Sequence, residues 1–170
     1  MLRLIGGSMI AAAGAGMALL YRAQDARRMT ELRQAVEMLT LMRSELEARR
    51  TPLPELAETI KTSCTGCGAT FARLLALGLS NIGERSFPEL WSESARRSFP
   101  HLLTDERRTF ERLGSVLGRY ELSTQLAALD RCTEELRNAD GRLHEKMNLR
   151  GKTSAGLFCA GSLLLIIVLW

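Results

Sequence analysis

The feature that most constrains this chain is a pair of charge-free segments, one near each end. Residues 4–21, LIGGSMIAAAGAGMALLY, and residues 153–170, TSAGLFCAGSLLLIIVLW, are each 18 residues long and hold no Asp, Glu, Lys or Arg. An α-helix needs roughly 17 to 25 apolar residues to cross the hydrocarbon core of a bilayer, so both segments reach the lower bound. The 131 residues between them, 22–152, are rich in charge. A mean hydropathy near zero is therefore the average of two very different kinds of sequence. The pattern predicts three parts: a transmembrane anchor over 2–21, a helical domain over 22–152, and a second anchor over 153–170.

A cleaved signal peptide competes for the first segment, since Arg3 precedes an apolar stretch with small residues in AAAGAGMA. Apolar character continues past those residues through Leu19, Leu20 and Tyr21, which favours a retained span. The second segment is expected to act as the return span of a two-pass protein or as a tail anchor.

Charge placement predicts the orientation. Four arginines (Arg22, Arg27, Arg28, Arg33) against two acids follow the first segment, and four basic residues (Arg142, Lys146, Arg150, Lys152) against Glu145 precede the second. Residues 34–141 carry 14 basic and 16 acidic side chains. The basic excess thus lies against both membrane ends, on the domain's side. Cytoplasmic flanks carry the excess of Lys and Arg, so the central domain is expected in the cytoplasm. The net charge of +4 is accounted for this way and calls for no nucleic-acid partner.

Within 22–152 every strong signal is helical. Met29, Leu32, Val36, Leu39, Met42 and Leu46 recur at three- and four-residue steps, as do Leu122, Leu126, Leu129, Cys132, Leu136, Ala139, Leu143 and Met147. One long helix leaves the first anchor and another leads back to the second. The fold class expected is all-α, an antiparallel helical bundle built on these two long helices and flanked by N- and C-terminal transmembrane helices. Shorter helices are expected between them. Thr51 is the expected N-cap of the second helix, with Pro52 and Pro54 in its first turn. Ser86 and Glu89 suit a capping box, and Thr104 suits the cap of the fifth helix, which carries Phe110, Leu113, Val116 and Leu117. Trp91 and Phe87 are expected in the core.

The sharpest candidate for chemistry is the C-x-x-C pair Cys64 and Cys67 in TSCTGCG. The segment has turn composition and is expected at the far end of the long pair. A structural zinc site needs four ligands. The remaining candidates are Cys132 on an apolar stripe, Cys159 in an apolar segment, and the isolated His101 and His144. A redox pair needs its first cysteine at a helix N-terminus, where the thiolate is stabilised, and Cys64 precedes a turn instead. The two cysteines are therefore read as a loop, with a thiol-redox or metal-binding role centred on them as the alternative. No cofactor and no catalytic residue is expected, nor any phosphate-binding glycine loop. Adjacent acids such as Glu45 and Glu47, or Glu134 and Glu135, fit exposed helix faces. The residues alone thus point to a membrane protein that works by contact: scaffold, adaptor or complex subunit, and not an enzyme.

Several stretches together resemble one family. The order is an apolar start, a long Arg/Leu helix, TPLPELAETI, SFPELW, LGSVLG with Glu121 and Gln125, a second long helix and an apolar tail with Ala155-Gly156 and Gly161. This resembles the stage III sporulation protein AB family from end to end. Glu121 stands where Asp is usual, and the C-x-x-C is not a family feature. The resemblance implies a non-enzymatic platform or scaffold subunit of a sporulation-specific, secretion-like complex linking mother cell and forespore. It is similar to the inner-membrane platform protein of type II secretion and type IV pilus systems. By that likeness the implied partners are a secretion-type ATPase and other membrane subunits, with membrane lipid and possible homo-oligomers. The implied location is the mother-cell membrane around the forespore. A generic two-pass scaffold unrelated to sporulation is the third reading.

Overall fold

In the computed structural model, residues 2–80 and 85–169 are described, with side chains for 20, 22–80 and 85–149. Six helices follow in order: α1 (Leu2–Arg49), α2 (Leu53–Ser63), α3 (Gly66–Ser80), α4 (Phe87–Ser98), α5 (Thr104–Gly114) and α6 (Leu122–Leu169). Among the described residues there is no strand, so the all-α expectation holds. Among those same residues no helix is long and apolar enough to cross a membrane. Apart from Leu20, the two segments expected to do so, 2–21 and 153–170, lie outside the residues whose side chains are described.

The chain divides into two compact units. Met1–Ala26 and Gly141–Trp170 form one, and Arg27–Asp140 forms the other. In the second unit α1 and α6 run antiparallel. Arg33 Nε meets Asp140 at 3.5 Å and Arg43 Nε meets Asp130 at 2.6 Å. Ten residues forward on α1 correspond to ten residues back on α6, which fixes the register. Exposed ion pairs of this kind contribute little to stability, so they mark the register and the apolar faces hold it.

Those faces are the predicted stripes, widened. On α1, Leu32, Ala35, Met38, Leu39, Met42 and Leu46 are buried, while Met29 and Val36 lie half-buried at the edges. The stripe is broader than one partner helix requires because α3 also leans on α1. A Cβ at Gly68 would lie 3.5 Å from the Cβ of Met38. On α6, Leu129, Cys132, Leu136 and Ala139 are buried.

The shorter helices close over an aromatic cluster. Trp91, Phe71, Phe99 and Phe110 are all fully buried. Phe71 meets Trp91 edge-on at 4.8 Å and Phe110 edge-on at 5.4 Å, while Trp91 and Phe110 stack at 5.3 Å. Such geometries add about 0.5–1.5 kcal/mol per pair beyond burial. The indole Nε1–H of Trp91 donates to the Phe110 carbonyl at 2.8 Å, which removes the one polar cost of burying a tryptophan. Gly114 lies against this ring: a Cβ there would come within 2.5 Å of Trp91 Cγ. Phe87 sits half-buried beside it.

Three boundaries differ from expectation. The N-cap of α2 is Pro52, and Thr51 Oγ1 donates instead to the Glu45 carbonyl at 3.5 Å, bracing the end of α1. The N-cap of α5 is Leu103, one residue before Thr104. Its N–H is taken by the Glu106 carboxylate at 2.8 Å, so an acid three residues on replaces the threonine hydroxyl. Helix α5 also stops at Gly114, leaving Val116 and Leu117 in a succession of turns over 115–119, with Gly118 at φ +72°. The Ser86–Glu89 expectation holds: Glu89 accepts the Ser86 N–H at 2.9 Å.

Candidate functional site

The C-x-x-C segment is mostly helix. Thr62 and Ser63 end α2, Cys64 and Thr65 link, and Gly66 and Cys67 begin α3. It does not lie at the far end of the long pair. Helix α2 folds back along α1, because Leu53 at its start packs against Gly118 while Gly66 at the start of α3 packs against Gln34. The cysteines therefore sit beside the part of α1 around Gln34, well short of its end at Arg49.

Gln34 explains the local structure. Its Oε1 accepts the Cys67 N–H at 2.8 Å. The first four N–H groups of any helix lack intrahelical acceptors, and here a side chain from α1 supplies one. Gly66 has φ +59°, and a Cβ on it would fall 2.4 Å from Gln34 Nε2. The positive φ favours glycine at that position, and a side chain there would push the Gln34 amide away from Cys67.

The thiols are poorly suited to nucleophilic or redox work. Cys64 is buried and Cys67 half-buried, and both are free. Burial raises the pKa of each above the ordinary thiol value, and a nearby carboxylate adds to it, Glu37 for Cys64 and Glu31 for Cys67. An activated cysteine needs the opposite environment. Cys132, at the floor of a groove between α5 and α6, is pushed up to about 12 by burial and by Glu135. That groove encloses about 220 Å³ and is rimmed by Thr109, Arg112, Val116 and Arg131. Among the described residues no group of three or more His, Cys, Asp and Glu side chains could hold a metal ion.

The polar chemistry inside the fold is elsewhere, and sequence reasoning missed it. Glu31 is only 4% exposed and Glu106 only 8%. The Glu31 carboxylate accepts the His101 N–H at 2.8 Å and lies 2.5 Å from His101 Nδ1. Glu106 receives Arg28 Nη2 at 2.5 Å and Nε at 3.2 Å while capping α5. Two buried carboxylates thus clamp the early part of α1 to the link between α4 and α5. A buried carboxylate is tolerated only when its lone pairs are occupied. His101, expected to be an isolated surface residue, is half of this clamp. The partners are 70 and 78 residues apart, so no local pattern announced them.

A family model described as stage III sporulation protein AB matches residues 3–170. No curated protein matches. A solved structure titled stage III sporulation protein AB is similar to this fold with a TM-score of 0.63 at 18% identity, covering 72% of this chain and 98% of that one. At that identity the likeness shows the fold alone. The family match runs over nearly the whole chain and takes in both apolar segments, and the helical fold agrees with it; the chain belongs to the stage III sporulation protein AB family.

Proposed function

We propose that the protein is a non-enzymatic platform subunit of a sporulation-specific, secretion-like complex. In this reading residues 2–21 and 153–170 anchor it in the mother-cell membrane around the forespore. Residues 22–152 face the cytoplasm and dock a secretion-type ATPase together with other membrane subunits. One observation carries the contact role: the buried ionisable groups are engaged in holding helices together. Glu31 and Glu106 are occupied by His101 and Arg28, and the three described thiols are kept protonated by burial. The basic flanks of the two charge-free segments support the orientation.

Three measurements test this. Protease added to inverted membrane vesicles should cut between residues 22 and 152, and protection of that region overturns the cytoplasmic placement. The full chain, purified in detergent from sporulating cells, should carry the ATPase with it, and its absence overturns the docking role. Deletion should abolish heat-resistant spores; normal spore yield would favour a scaffold unrelated to sporulation.

A further inference from the structure

One end of the Arg27–Asp140 unit combines strain, positive charge and an exposed aromatic. Helix α1 ends at Arg49, and Arg50 follows with φ +51°, the one non-glycine residue with positive φ among the described residues. Its N–H still bonds the Leu46 carbonyl at 3.1 Å, so it occupies the position after a helix where glycine or asparagine is usual. A side chain there strains the backbone, and retained strain points to a use for that side chain. Arg50 is exposed and makes no ion pair among the described residues.

The turn that leads into α6 lies next to it. Leu53 packs on Gly118, which draws residues 50–53 and 118–122 together. Gln125 locks this turn: its Oε1 accepts the Gly118 N–H at 3.1 Å, and its Nε2 donates to the Tyr120 carbonyl at 2.7 Å. The locked turn holds out Arg119, exposed and without an ion pair among the described residues, and Tyr120, 54% exposed. Of the three arginines in segments 49–54 and 118–122, Arg49 faces Glu45 at 3.9 Å, which leaves Arg50 and Arg119 against the carboxylate of Glu121.

The geometry points to this tip as a docking surface for an acidic face of a partner protein. Arginine and tyrosine are the side chains that most often anchor protein interfaces, and a pre-locked turn reduces the ordering cost of binding. A lipid headgroup would match the charge alone; the exposed tyrosine on a locked turn beside the arginines is the composition of a protein interface. The inference deepens the platform reading and rests on it for the existence of a protein partner.

The test replaces Tyr120 by a photo-crosslinking phenylalanine analogue in the full chain, expressed in sporulating cells, and maps the captured peptide. The expected result is capture of an Asp/Glu-rich segment of one protein, with yield falling at least tenfold in the Arg50→Gly, Arg119→Glu background. Capture of lipid, of a second copy of this chain, or of nothing overturns the inference. So does undiminished capture in that background. Arg50→Gly alone should raise the thermal unfolding midpoint while weakening capture; a purely structural Arg50 would move the midpoint and leave capture unchanged. If the ATPase co-purifies but Tyr120 captures nothing, this inference fails and the platform reading stands. If Tyr120 captures an acidic segment of a protein other than the ATPase, the inference stands, and co-purification decides the ATPase half of that reading separately.

Discussion

Single residues here are tuned for packing, and the cysteines make the point most directly. Cys132 is 3% exposed, and its thiol pKa is raised from 9.0 to about 12. The folded state therefore holds this proton more tightly than the unfolded chain does. That contribution is fully present below about pH 9 and is lost as pH rises from there toward 12. The urea midpoint of the wild type should fall more steeply between about pH 8 and about pH 10.5 than that of Cys132→Ala, and equal slopes would refute the burial account. Cys64 and Cys67 lead to a different expectation. Because burial disfavours both thiolates, Cys64→Ser with Cys67→Ser should leave spore formation intact. A serine hydroxyl at the buried Cys64 site costs about 1–3 kcal/mol, so Cys64→Ala separates loss of fold from loss of chemistry. A complex that fails to assemble with the alanine variant would restore a functional role for the thiols. The C-x-x-C spacing was visible at once in the sequence. What suppresses its reactivity was not, because it comes first from burial under the folded helices and then from Glu31 and Glu37 on α1.

At the scale of elements, each helix is decided partly by its own residues and partly by a neighbour. Leu32, Leu39, Met42 and Leu46 on α1, and Leu129, Leu136 and Ala139 on α6, were legible as buried stripes because helical periodicity is a local property. Glu89 three residues after Ser86 was legible for the same reason. The start of α3 was not. TSCTGCG has turn composition, yet Gln34 makes a helix start there by accepting the Cys67 N–H across 33 residues of sequence. Gln34→Ala should leave that N–H without an acceptor and destabilise the domain by about 1–3 kcal/mol. Gln34→Glu keeps an acceptor and puts a negative charge where a helix N-terminus favours one, and it should recover most of the loss. Thermal unfolding of the three proteins followed by circular dichroism reads both effects. An alanine variant as stable as the wild type would mean that water replaces Gln34 at no cost. The starts of α2 and α5 follow the same logic, since Thr51 is drawn off to the Glu45 carbonyl and Glu106 supplants Thr104.

For the molecule as a whole, the division into charge-free ends and a charged, periodic centre was legible because it needs only composition along the chain. The clamp was not, since Arg28–Glu106 and Glu31–His101 join residues whose proximity depends on α4 and α5 folding back onto α1. Together with the Trp91–Phe71–Phe110 cluster they give the Arg27–Asp140 unit a core of its own. That has a consequence for what the apolar segments contribute. If they serve as anchors, the bundle's stability resides in its own buried faces and clamps, and residues 22–149 should fold without either segment. This fragment keeps every described core side chain, including Leu143, which is 2% exposed. It is expected to be monodisperse without detergent and to unfold in one cooperative transition, the behaviour of small single domains. Glu31→Ala within the fragment should lower its stability by about 1–3 kcal/mol, the scale for leaving a partly buried donor such as the His101 N–H without its acceptor. A fragment that aggregates, or melts without a cooperative transition, would place part of the core in the apolar segments, and the separation into anchors and bundle would have to be given up.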